Sequence, residues 1–92
     1  MIALDKPYEV LPHIMTREVE GETVIMDIER GVYSGLNHVG TRVLDLIKDG
    51  HTLSQIITHI DAQYDVSTSI ARQDVIELMQ SLLAKNLIRE RV

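Results

Sequence analysis

Residues 23–40 read TVIMDIERGVYSGLNHVG, and the fold is decided where the spacing of apolar residues changes inside this stretch. Its first part alternates, with Val24, Met26 and Ile28 on one side of a strand and Thr23, Ile25 and Asp27 on the other. Glu29-Arg30-Gly31 is a turn, and Val32-Tyr33-Ser34-Gly35-Leu36 a short strand returning beside the first. After Leu36 the period becomes helical. Asn37 is placed to cap a helix whose stripe is Val39, Val43, Leu46 and Ile47, closed by Gly50. Gly40 in that first turn costs about 1 kcal/mol relative to alanine. Its presence implies a close neighbour, and the sheet beneath it is the simplest one.

Upstream, His13 to Val19 is half-alternating, and Glu20-Gly21-Glu22 turns it into the next strand. The expected sheet is therefore a three-stranded antiparallel meander, which needs helices packed on it for stability. Downstream, Thr52-Leu53-Ser54-Gln55 fits a capping box, followed by the stripe Leu53, Ile56, Ile57, Ile60 and Tyr64. A third helix is expected from Ser67–Ser69 to about Lys85, ended by Asn86 in the left-handed conformation, with Leu87-Ile88-Arg89 packing back on the core. The fold class is α+β, a three-stranded antiparallel sheet followed by a three-helix bundle, and residues 1–92 form one domain.

Composition narrows the function. Hydrophobic residues make up 45% of the chain without any Phe, Trp or Cys, so Ile, Val, Leu and Met fill the core. The missing cysteines remove disulfides, thiolate ligands and cysteine nucleophiles, and fit a reducing, cytoplasmic setting. No stretch approaches the ~18 apolar residues of a membrane span, and Met1 to Pro12 carries no export signal. The histidines His13, His38, His51 and His59 do not stand at zinc-site spacing, and no acid and base pair stands out. Gly31, Gly35 and Gly40 lack the lysine of a phosphate loop. These readings point to a binding protein without a cofactor or metal rather than an enzyme.

The helix-turn-helix order also raises a winged-helix transcriptional regulator as the alternative. The charge is against it, with 14 acidic and 9 basic residues and a net charge of −5. The third helix turns Gln73, Asp74, Glu77, Gln80 and Ser81 outward, with Arg72 its lone base before Lys85. Its apolar arc, from Leu78 through Ala71, Leu82, Val75, Met79 and Leu83 to Ile76, spans about 160°, where one packed stripe needs about 100°. The extra arc meets either more core or a bound partner.

The ordered set Gly31-Val32-Tyr33-Ser34-Gly35-Leu36-Asn37, Gly40, Leu46-Ile47-Lys48-Asp49-Gly50, Tyr64-Asp65-Val66, Asp74-Val75, Leu82 and Leu87-Ile88 resembles the PqqD-like family. These are recognition elements for the leader peptides of ribosomally made, post-translationally modified peptides. Asn86 stands where many members have glycine, and Val43-Leu44 where many have a large aromatic. The resemblance implies a winged-helix-like fold and a leader that adds as a strand to the edge at Gly31, Val32, Tyr33, Ser34 and Gly35. The facing wall would come from Ala71, Asp74, Val75, Leu78, Met79 and Leu82 of the third helix. It also implies two partners, a precursor leader peptide and a separate processing enzyme, with a lasso-peptide leader protease favoured over a radical-SAM maturase.

Glycine boundaries and the small Ser34 support an open edge on their own. Three points stay open at this stage. Residues 1–10 either cover that edge or leave it free; Tyr33 lies either in the core or in the groove; and the helical wall is either Asp74 with Leu78 or Arg72 with Leu83.

Overall fold

The computed structural model describes residues 2–64 and 68–91. Strand β1 is Tyr8–Val10, β2 Ile14–Val19, β3 Glu22–Asp27 and β4 Val32–Leu36; helices α1 (His38–Lys48), α2 (Leu53–Tyr64) and α3 (Thr68–Ala84) follow, and β5 is Ile88–Glu90. The expected meander forms, in the order β2-β3-β4, with both pairs antiparallel. Glu20 and Gly21 both adopt positive φ, 54° and 80°, which is the two-residue turn that matches the twist of a hairpin. The fold is α+β and winged-helix-like, as expected.

The caps follow the sequence. The Asn37 side chain accepts a hydrogen bond from the Gly40 amide at 2.9 Å. The Thr52 amide donates to Gln55 Oε1 at 2.9 Å and the Gln55 amide to Thr52 Oγ1 at 3.2 Å, which completes the capping box. Asn86 has φ 61°, and the Leu87 amide reaches back to the Leu82 carbonyl at 3.0 Å, so α3 ends in a left-handed cap. Of the residues expected to start α3, Ser67 lies outside the described residues, as do Asp65 and Val66.

The segment before β2 departs from expectation. Tyr8–Val10 is a strand that pairs antiparallel with β5, matching Tyr8 to Glu90 and Val10 to Ile88. Arg89 closes an ion pair with Glu9 at 2.6 Å, and the Leu53 and Ser54 amides donate to the Lys6 and Leu4 carbonyls. The described N-terminal residues thus lie across β5 and the start of α2, and none of them pairs with β4. Tyr8, at 1% exposure, anchors this segment in the core, and its hydroxyl donates to the Ala3 carbonyl at 3.0 Å.

The core is aliphatic: Val43, Leu46 and Ile47 of α1, Leu53, Ile56 and Ile60 of α2, Val75, Met79 and Leu82 of α3, and Leu87 and Ile88 all belong to it. The sheet contributes its less apolar face, since Thr23, Ile25 and Asp27 are buried while Val24 and Ile28 are exposed. Two buried polar contacts make this possible. Thr23 Oγ1 and Thr41 Oγ1 share a hydrogen bond of 2.7 Å between sheet and α1. Asp27 receives the Arg30 amide at 3.0 Å and lies 3.9 Å from His13 Nε2. The threonine pair ties the sheet to α1, and the Asp27 contacts fix the end of β3 and its turn, since leaving either buried group unpaired would be costly.

Candidate functional site

Among the described residues, strand β4 pairs only with β3, so its other side is a free edge. Which backbone groups point outward follows from the turn before it. The Gly31 amide donates to the Asp27 carbonyl at 2.8 Å, so Asp27 directs its backbone toward β4; the Ile28 amide bonds instead to the His13 carbonyl on the β2 side. In an antiparallel ladder these directions alternate. Opposite Ile25 and Thr23, Ser34 and Leu36 therefore bond to β3, while Tyr33 and Gly35 turn their N–H and C=O groups to the open edge.

The turn is built for this. Gly31, at φ 69°, takes the left-handed position, and the Asp27 carboxylate holds the Arg30 amide, fixing where β4 begins. Asp27 was not singled out in the sequence. Its signal is an aspartate three residues before the amide it binds, at the end of an alternating run.

Side chains of β4 alternate about the sheet. Val32, Ser34 and Leu36 share the bundle-facing side with Ile25 and Thr23, and two hollows, one toward each end of β4, lie between this strand and α3. At one end, about 410 Å³ is lined by Val32, Ser34, Arg30, Ala84, Lys85 and Leu87. At the other, about 540 Å³ is lined by Gly35, Leu36, Gly40, Asp74, Glu77 and Leu78. An added Cβ on Gly40 would lie 3.1 Å from Leu36 Cβ, so the close neighbour implied by that glycine is the end of β4 itself. Glycine there lets the first turn of α1 pack closely on the end of β4.

From the second end a smaller apolar cavity of about 100 Å³ enters the bundle, lined by Val39, Val43, Ile60, Tyr64, Ala71, Asp74, Val75 and Leu78. Val39, Asp74 and Leu78 border both spaces. The wide apolar arc of α3 thus divides. Met79 and Leu82, at 0% and 3% exposure, are core and line none of these cavities; Ala71 and Val75 form the cavity floor; half-buried Leu78 is the rim. Of the two walls left open by the sequence, Asp74 with Leu78 faces β4, while Arg72 and Leu83 line none of the cavities described.

Tyr33 is neither core nor groove. It is 67% exposed on the outer face of the sheet, where Met15, Val19, Val24 and Met26 surround it. Only its backbone belongs to the edge. The groove walls are thus two elements of opposite character, a strand with unpaired amides and carbonyls and a helix offering an apolar pit. A segment of extended chain satisfies both, pairing its backbone with Tyr33 and Gly35 and burying alternate side chains.

An open strand edge beside a helical groove on a winged-helix-like frame is a geometry that an extended peptide can fill. The model of the family described as coenzyme PQQ synthesis protein D (PqqD) matches residues 22–88, which include β3, β4 and all three helices, and the chain belongs to that family. Among curated proteins no match is found. Two solved structures share the fold. One is TbiB1 in complex with the TbiA(beta) leader peptide, with TM-score 0.84 and 24% identity over 91% of this chain and 98% of that one. Another is a lasso peptide synthetase B1 complexed with the leader peptide, with TM-score 0.82 and 22% identity over 89% of this chain and 96% of that one.

Proposed function

We propose that this protein binds the leader segment of a ribosomally synthesised precursor peptide by strand addition to β4. In this reading it presents the precursor to a separate processing enzyme, a lasso-peptide leader protease in preference to a radical-SAM maturase. The observation that carries the proposal is the unpaired β4 edge beside the hollows against α3, with an apolar pit where an anchor side chain would sit. Family membership and two leader-peptide complexes with the same fold support it.

The energetics are adequate. Two groups from each of Tyr33 and Gly35 offer up to four backbone bonds at about 0.5–1.5 kcal/mol each, and one buried aliphatic anchor adds ~2 kcal/mol. For the enzyme, the outer sheet face stays open after the groove is filled. Its exposed Met15, Val19, Val24 and Tyr33, with Arg17 among them, form a mixed surface beside the strand that a leader would extend.

The test is titration with a fluorescein-labelled leader peptide of a precursor sought among the neighbouring genes, and in parallel with duplex DNA at low salt. Saturable peptide binding without duplex binding is the expected outcome. Tight duplex binding with no peptide binding would replace the proposal with a transcriptional winged helix, although the exposed Asp74, Glu77, Gln73 and Gln80 on α3 repel or ignore phosphate.

A further inference from the structure

The two hollows between β4 and α3 carry opposite charge. Asp74 and Glu77, three residues apart and so on one side of α3, line the end at Gly35 and Leu36; Arg30 and Lys85 line the end at Val32 and Ser34. All four side chains are exposed. The acidic end holds two carboxylates, with Glu77 accepting a hydrogen bond from Gln73 at 3.3 Å. At the basic end Arg30 lies 3.8 Å from the buried Asp27 carboxylate, which His13 also approaches, so Lys85 is the uncompensated positive charge. Among the described residues, neither Asp74 nor Lys85 forms an ion pair within the chain.

The two elements run in opposite directions between the hollows, and their lengths agree. Eleven residues of helix from Asp74 to Lys85 advance about 16 Å. Four residues of strand from Val32 to Leu36 advance about 13 Å. A strand added to β4 would therefore meet the two charged ends with side chains four residues apart on the face turned to the bundle, with one position between them.

Resting on the leader-binding reading above, we infer that this groove selects charge-polar peptides and sets their direction. The occupant pairs antiparallel with β4, as β3 does, and carries a basic residue opposite Asp74 and Glu77 with an acidic residue four positions later, opposite Lys85 and Arg30. Antiparallel pairing is the arrangement in which Tyr33 and Gly35 each exchange both backbone bonds with one residue of the peptide. Reversal places each charge beside its like. The charges lie at the rim, where they act on selection and encounter more than on total affinity.

The test uses three peptides of equal length with alternating apolar residues, binding to the full chain being read by fluorescence anisotropy. They differ only in one pair of positions, Lys-x-x-x-Glu, Glu-x-x-x-Lys and Gln-x-x-x-Gln. At low ionic strength the first is expected to bind about 3–10-fold tighter than the second, with the third between, and the gap should close near 0.5 M salt. Combining Asp74→Lys with Glu77→Lys should abolish or reverse the preference between the two charged peptides. Equal affinity of the two charged peptides for the unmodified protein, with the glutamine peptide also bound, would overturn the charge selection while leaving the groove intact. Failure of all three to bind would overturn the groove reading and the selection together.

Discussion

Replacing Tyr33 by proline separates the open edge of β4 from the ladder that holds it. The Tyr33 amide points away from β3, so the substitution removes a donor that folding does not use, at an edge position where proline is tolerated. A bound peptide loses the bond from that amide, and one of its carbonyls then faces the pyrrolidine ring without a partner. Such a loss costs about 1–3 kcal/mol. Since each 1.4 kcal/mol is a factor of ten, Kd should rise roughly 5–150-fold. Anisotropy with a labelled leader peptide measures the affinity, and thermal melting by circular dichroism verifies the fold.

Two controls sharpen this. Tyr33→Ala removes only an exposed side chain on the far face of the sheet and should change Kd by less than about threefold. Ser34→Pro breaks the β3 ladder itself and should lower stability by about 3 kcal/mol. A folded Tyr33→Pro protein that binds leader with unchanged affinity would refute the edge as the site.

Other outcomes follow from individual contacts. Leu78→Ala opens the rim shared by the acidic hollow and the pit, and should weaken peptide binding about 5–30-fold in the same assay, whereas Met79→Ala should instead lower stability by about 2–5 kcal/mol. Thr41→Val leaves the buried Thr23 hydroxyl without its partner and should cost about 1–3 kcal/mol in urea unfolding; the Thr23→Val, Thr41→Val double variant should lose less than the sum of the singles. Burial raises the Tyr8 hydroxyl above its ordinary value of 10.0, against the pull of its hydrogen bond to Ala3. A raised folded value means stability is fully present below pH 10 and lost as pH climbs through that higher value. Melting temperatures measured above pH 10 should therefore fall more steeply for the unmodified protein than for Tyr8→Phe.

Much of this frame is legible because it rests on local chemistry. Glu20-Gly21, the Thr52-to-Gln55 capping box and Asn86 each specify a backbone conformation within four residues, and each forms. Strand β1 is not legible in this way. Tyr8–Val10 is short, and its partner lies some eighty residues on, so only tertiary pairing reveals it. The same pairing places the described N-terminal residues across β5 and the start of α2.

The sheet face is harder still. Periodicity separates Thr23, Ile25 and Asp27 from Val24, Met26 and Ile28, but hydropathy alone would turn the second set inward, and the protein buries the first. Thr41 and His13 reach these polar groups from 18 and 14 residues away in sequence, and only the Arg30 amide is local to its partner. In the candidate site Gly35 and Leu36 of β4 line one cavity with Asp74 and Leu78 of α3. The wide arc of α3 splits into core and pit only once α1 and α2 are placed against it.

Amide hydrogen exchange at β4, followed by NMR with and without saturating leader peptide, tests strand addition at the level of single bonds. The Tyr33 and Gly35 amides should slow by at least about tenfold when peptide binds, while Ser34, already bonded to β3, changes little. Unchanged exchange at Tyr33 and Gly35 in a peptide-saturated protein would place the peptide elsewhere and contradict strand addition.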